Sequence, residues 1–140
     1  MTSEGMIPEI RKTVLLNAAI EKVWNAVATS EGIAVWWMPN TFEPKLGHEF
    51  ILHAGPFGDS PCQVTDIVPM KRVSFNWGKD WSLTFELEEQ GGKVAFTLIH
   101  SGWLESGTTE FGQPHAVVRG IMDGGWEKIV RESLPAYVEG

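Results

Sequence analysis

Four histidines, one cysteine and a scatter of carboxylates are the residues of this 140-residue chain that could move protons, attack a substrate or bind a metal. The histidines are His48, His53, His100 and His115, and no two of them stand in H-x-x-x-H or H-E-x-x-H spacing. That spacing places two imidazoles on one helix face, as a metal pair needs. With Cys62 as the lone thiol, a metal site would have to be assembled across strands. No metal ligand is assigned and no cofactor is expected. Ser101 and Ser106 lack the G-x-S-x-G elbow of hydrolases. No glycine pattern follows a strand and opens a helix, as a phosphate loop requires.

Two side chains remain as weak catalytic candidates. His100 falls on the same alternation as Phe96 and Leu98, which puts it on the buried face of a strand. A buried imidazole must satisfy its ring nitrogens, and its charge can switch near neutral pH. Three roles are open to it: a structural bond to backbone or an indole, a polar group that orients a ligand, or a general acid or base. Asp66 alternates with Val64 and Val68. An inward carboxylate there has a raised pKa unless it is paired, whereas an irregularity in the strand would turn it outward. Asp123, beside Gly124, is expected in solvent.

The tryptophans say more. There are seven, at Trp24, Trp36, Trp37, Trp77, Trp81, Trp103 and Trp126, against a single tyrosine. Each ring can bury on the order of 150–250 Å² and carries one N–H that needs a partner. Large, rigid, amphipathic rings at strand ends and on the last helix can fill a core or line a pocket. The candidate ligand-binding set is Trp36, Trp37, Phe50, Leu52, Phe75, Trp77, Trp81, Phe85, Phe96, Leu98, His100, Trp103, Val118, Met122 and Trp126.

The elements that must position these residues follow from periodicity. Ile10, Lys12, Val14 and Leu16 alternate with Arg11, Thr13 and Leu15, a first strand partly buried on both sides. Ile20, Val23, Trp24 and Val27 have helical spacing, with Asn17 as the expected cap. Thr29-Ser30-Glu31 opens a second short helix that ends before Pro39, since the residue preceding proline leaves the α region.

From Gly47 to Gly102 the period is two. Phe50, Leu52 and Ala54 share a face, as do Val73, Phe75 and Trp77. Trp81, Leu83, Phe85 and Leu87 alternate with Ser82, Thr84, Glu86 and Glu88, the pattern of a sheet with one wet face. Glu89-Gln90-Gly91-Gly92 turns the chain into Val94, Phe96, Leu98 and His100. Pro56, Gly58 and Pro61 mark a loop between strands.

After Pro114, Val118, Met122, Trp126, Ile129, Val130, Leu134 and Tyr137 form one stripe of a long helix. Gly124-Gly125 weakens that helix by roughly 2 kcal/mol relative to alanines, and Pro135 should kink or end it. The glycines suit either a close approach to a ligand or close packing on the sheet.

Length and composition bound the rest. One domain over residues 1–140 is expected, with 1–7 as a disordered tail and no internal repeat. The net charge of −7 disfavours nucleic acid and anionic membranes, which need clustered Lys and Arg. The basic pairs Arg11-Lys12 and Lys71-Arg72 read as a solvated strand edge and a turn. No apolar run approaches the roughly 18 residues of a membrane span, so no membrane insertion is expected. The start lacks a secretory pattern and there is one cysteine, which together point to the cytoplasm.

Several of these segments resemble a known family. Ala19-Ile20-Glu21-Lys22-Val23-Trp24 resembles the AP-x-E-x-V-W opening of the START-like (SRPBCC) superfamily. Trp36-Trp37-Met38-Pro39 resembles the WW-x-P of its branch homologous to the heat-shock-protein-90 ATPase activator. His100-Ser101-Gly102-Trp103 resembles that branch's H-x-G-[FW] strand end, and Gly125-Trp126 with Ile129 and Leu134 its GW-x-x-x-L final helix. The likeness spans residues 8 to 138, in order, with Ala19 for the usual proline and Pro135 in the usually leucine-rich end.

The resemblance implies an α+β helix-grip fold. A seven-stranded curved antiparallel sheet would wrap a long C-terminal helix, with two short helices between the first two strands and an apolar cavity between sheet and helix. It also implies, as the leading expectation, non-catalytic binding of a hydrophobic, aromatic, polyketide-like or lipid-like small molecule. The alternatives are a cyclase or hydrolase using His100 or Asp66 as proton shuttle, and a protein-interaction module acting as a chaperone cofactor. Fold alone does not choose among them.

Overall fold

Strand alternation resolves into a six-stranded antiparallel sheet of order β1-β6-β5-β4-β3-β2. The strands are β1 (Ile10–Leu16), β2 (Glu49–His53), β3 (Asp59–Val68), β4 (Arg72–Trp77), β5 (Trp81–Gln90) and β6 (Lys93–Ser101). Helices α1 (Ile20–Val27) and α2 (Ser30–Trp36) follow β1; α3 (His115–Lys128) and α4 (Leu134–Glu139) close the chain, joined by a π-helical turn over Ile129–Ser133. The computed structural model describes residues 7–53, 59–78, 81–104, 107–108 and 112–139.

One face of the sheet is dry. Leu83, Phe85 and Leu87 of β5, Val94, Phe96, Leu98 and His100 of β6, and Val73, Phe75 and Trp77 of β4 are buried. Their neighbours Ser82, Thr84 and Glu86 reach partly into solvent. β1 is buried on this face alone: Leu15 on the other side is 49% exposed. The first strand is therefore not covered on both sides.

The sheet has six strands among the described residues, not seven. Beyond β2 the chain at Pro39–Thr41 makes only an isolated bridge, Asn40 opposite Leu52. His53 N donates to Pro39 O and Thr41 N to Ile51 O. Pro39 has no N–H with which to continue a ladder. Pro61 lies within β3 rather than in a loop, paired with Ile51 of β2. The β4 ladder stops at Cys62–Trp77, so the missing donor of Pro61 costs little there. Ala54, Pro56 and Gly58 lie outside the described residues.

A β-bulge between Val64 and Asp66 corrects the reading of β3. Val64 pairs with Phe75 and Asp66 with Ser74, leaving Thr65 as the extra residue. The insertion moves the inward role from Asp66 to Ile67, which packs against the core. Asp66 turns to the outer face and binds Arg72 Nε at 2.6 Å.

The helix starts and stops have local causes. Thr29 caps α2, its side chain accepting from Gly32 N at 3.0 Å. Asn17 does not cap α1: the N-cap is Ala19 without a side-chain bond, and Asn17 N donates instead to Glu139 of α4 at 2.8 Å.

Pro135 neither ends nor interrupts the last helix. The π turn before it, in which Leu134 N donates to Ile129 O, widens the backbone where proline would otherwise meet the preceding turn. The extra residue of that turn rotates the stripe. Trp126, Val130, Leu134 and Val138 are buried, whereas Tyr137, expected on the stripe, is 37% exposed. Ile7 is not part of a free tail, since its N–H donates to Trp103 O at 2.9 Å; residues 1–6 lie outside the described ones.

The last helix is tied to the free edge of β1 by polar side chains. Arg119 donates to Pro8 O at 2.7 Å and to Glu9 O at 3.3 Å. Lys12, expected in solvent, has a largely covered side chain with its ammonium 3.1 Å from Asp123 and 3.0 Å from Glu127. Partial burial works against that charge, but hydrogen bonds to Glu127 and Asp123 outweigh it and raise the Lys12 pKa. The Glu127 carboxyl is correspondingly lowered, by hydrogen bonds from Lys12 and Arg131.

Candidate functional site

Between the sheet and the last helix the rings form one continuous cluster. Trp36, the last residue of α2, donates its indole N–H to Ala26 O at 2.7 Å and packs edge-on against Phe85 and Phe96. Trp37 follows at the cap, and its ring centroid lies 4.9 Å from Trp126, 5.3 Å from Trp77, 6.3 Å from Phe85 and 6.4 Å from Phe75. Phe50 of β2 continues the cluster through Phe75 at 5.1 Å.

All fifteen candidate ligand-binding residues face this side. Trp36, Phe50, Leu52, Phe75, Trp77, Trp81, Phe85, Phe96, Leu98, His100, Trp103 and Trp126 are buried. Trp37, Val118 and Met122 are half-buried at the margin. Between sheet and helix the rings pack directly on one another, Trp37 on Trp126 and Trp77, and Phe50 on Phe75. Two surface concavities lie away from the rings. A basin of about 510 Å³ sits at the far end of the sheet, bounded by residues such as Arg72, Glu86 and Glu88. A smaller one of about 200 Å³ lies along Pro61, Gln63 and Asn76.

At the other end of the cluster the polar atoms gather. His100 is fully buried, stacked on Trp77 with centroids 5.1 Å apart and flanked by Trp81 at 5.0 Å and Trp103 at 4.6 Å. Trp126 Nε1 donates to His100 Nδ1 at 3.0 Å, and Trp103 Nε1 to His100 O at 3.0 Å. An Nδ1 that accepts carries no proton, so the ring holds its proton on Nε2. Burial, assisted by the charge of Arg119, pushes the His100 pKa down to about 3. The imidazole is therefore a neutral N–H donor at physiological pH. Among the described residues neither His100 Nε2 nor Trp81 Nε1, both buried, has a hydrogen-bond partner.

The sequence reading singled out His100 and passed over His115, which the fold brings to the same place. His115 opens α3, is buried, and lies 5.9 Å from both Trp81 and Trp103 by ring centroid. Its Nδ1 accepts from Leu104 N at 3.0 Å. Gly107 makes that approach possible, because a Cβ there would sit 2.8 Å from His115 Nδ1. Pro114-His115 at a helix start was the only local signal.

The other candidates disperse. Asp66 is on the outer face with a side chain 43% exposed. His48 reaches Thr41 O at 3.1 Å, and His53 pairs with Asp59 at 3.0 Å, both at the surface. Asp123 holds Lys12. Ser101 ends β6, and Ser106 lies outside the described residues. Among the described residues no group of three or more His, Cys, Asp or Glu is placed so that it could hold a metal ion. Gly124 and Gly125 do not pack on the sheet: a Cβ at either would meet no atom within 4 Å. No helix among the described residues is long and apolar enough to cross a membrane.

Comparison with known proteins agrees with this architecture. BH1534 of Bacillus halodurans, whose solution structure is known, is 46% identical; the match covers 95% of this chain and 98% of that one, with a TM-score of 0.86. The Aha1 dimer of Colwellia psychrerythraea shares the fold at 19% identity and a TM-score of 0.74, over 94% and 97% of the two chains. DynU16, from the dynemicin biosynthetic locus, does so at 21% and 0.76, over 95% of this chain and 48% of its own. No curated protein matches. The sequence pattern of the family described as "Activator of Hsp90 ATPase homolog 1-like protein" matches residues 17–139, and the chain belongs to that family.

Proposed function

We propose that this chain binds a hydrophobic small molecule, aromatic, polyketide-like or lipid-like, between the sheet and the last helix, and releases it unchanged. The observation that carries this reading is Trp37. It is half-buried, yet its ring touches Trp36, Phe75, Trp77, Phe85 and Trp126 together. One ring at the margin thus stoppers the whole aromatic seam. Displacing it would expose a wall of rings to which a flat apolar ligand is complementary. The fold-mate DynU16, from a biosynthetic locus, fits the same picture.

Binding without chemistry is favoured by the state of the two proton-handling candidates. His100 is locked as a neutral donor, and Asp66 is paired on the opposite face of the sheet. A cyclase or hydrolase needs convergent acid and base groups, and these two do not converge. The second reading, a chaperone-cofactor-like protein contact, draws on exposed Val117 and Ile121 of α3, at 55% and 70%. We place the action in the cytoplasm, with no nucleic acid, metal or cofactor involved. A tryptophan-fluorescence titration with flavonoid-like and fatty-acid ligands tests the proposal. Saturable quenching by members of the panel supports it, and no quenching by any of them overturns it.

A further inference from the structure

Two buried N–H groups at the sealed end of the aromatic seam define what a ligand must bring. The Trp126 indole fixes the tautomer of His100, leaving its proton on Nε2. Trp81, 5.0 Å away by ring centroid and at 79° to the imidazole, contributes Nε1–H. Both nitrogens are buried, and neither has an acceptor among the described residues. Tryptophan can only donate, and His100 in this tautomer can only donate through Nε2. Unmatched buried donors are costly, and the cost disappears when an acceptor arrives.

The surroundings narrow the acceptor further. One lone pair of His100 O already takes the Trp103 indole, and a neutral carbonyl, which accepts without a proton of its own to place, matches two donors more simply than a hydroxyl does. A carboxylate would lose its hydration among stacked rings. Resting on the reading of the seam as an aromatic-binding site, we infer that it is built for flat aromatic molecules bearing a neutral carbonyl oxygen, which His100 Nε2–H and Trp81 Nε1–H receive. The rings supply affinity; the two donors supply the choice between a ketone or quinone and the matching hydrocarbon.

The test compares 9-fluorenone with fluorene, the same ring system with a methylene in place of the carbonyl, by amide and indole NMR titration of the full chain. Fluorenone should bind at least tenfold more tightly, about 1.4 kcal/mol. The ratio should fall toward one in Trp81→Phe and in His100→Asn, whose amide oxygen can still accept from Trp126 but has no Nε2 donor. In the wild-type protein the imidazole ¹⁵N spectrum should report protonation at Nε2, with that N–H moving downfield on adding fluorenone and not fluorene. Should His100→Asn not fold, Trp81→Phe and the wild-type imidazole spectrum decide the question. Equal affinity for the two probes, or a wild-type ratio retained in Trp81→Phe, overturns this inference and leaves the aromatic reading standing. An imidazole protonated at Nδ1 does the same. Binding of neither probe also overturns this inference, whereas the wider reading falls only with the flavonoid-like and fatty-acid panel.

Discussion

Replacing Gly124 and Gly125 together by alanine should stabilise the protein and slow its ligand exchange. Both glycines lie inside α3 with non-positive φ and exposed faces, and an added Cβ meets no atom within 4 Å at either. Only the helix-propensity term is left, about 0.8–1 kcal/mol per glycine, or roughly 2 kcal/mol for the pair. For a domain of this size that raises Tm by about 5–8 °C. The effect should be local as well as global. Of the fourteen residues of α3 only His115 and Trp126 are buried, whereas Val130, Leu134 and Val138 anchor the chain beyond it. The α3 part of the helix is thus weakly held, and because its Trp126 packs on Trp37, its opening would, on the proposed reading, free the Trp37 ring to admit a ligand. Native-state hydrogen exchange should show residues 116–128 opening faster than β6 in the wild type, and about thirtyfold more slowly in the double variant. Association of 9-fluorenone should slow in parallel. Protection of 116–128 equal to that of β6 in the wild type would refute the idea of a weakly held wall. A double variant no more stable than its parent would refute the reading of these glycines as unconstrained.

Three further outcomes follow. His100 has a folded pKa of about 3 against an ordinary 6.5, so the unfolded chain takes up the proton first. Stability should therefore be complete above pH 6.5 and fall by up to about 1.4 kcal/mol per pH unit below it; urea unfolding at pH 7, 5 and 4 checks this, and His100→Asn should show a shallower decline. Gly107→Ala forces a methyl to 2.8 Å from His115 Nδ1 and should cost about 1–3 kcal/mol, read by thermal melting together with loss of protection at the Leu104 amide. Asp66→Asn, on the outer face beside Arg72, should leave 9-fluorenone affinity unchanged in the same titration; a large loss would place that carboxyl in the binding path.

The sheet was legible wherever one face is dry and the other wet. Trp81, Leu83, Phe85 and Leu87 announce the inner side of β5 because Ser82, Thr84, Glu86 and Glu88 fill the alternate positions. The same rule placed His100 inward. It failed at β3, because a bulge at Thr65 leaves no mark in composition and shifts the face by one residue. The π turn before Pro135 was equally silent, and it exchanged Tyr137 for Val138 on the buried stripe. The polar heart of the site depends on contacts across 26 residues for Trp126 and His100 and 11 for His115 and Leu104. Periodicity carries no information about such pairs. The glycine pair was misleading for the opposite reason: its signal was local and real, but nothing approaches it.

The central claim is that an aromatic ligand enters the seam between sheet and last helix by displacing Trp37, and the distances from a bound probe to the protein decide it. Isotope-filtered nuclear Overhauser measurements on the 9-fluorenone complex should connect the probe's ring protons to the Met122 methyl and to the rings of Trp37, Trp77 and Trp126. Contacts confined to the surface basin near Arg72, Glu86 and Glu88, with Trp37 still packed on Trp126, would contradict the account.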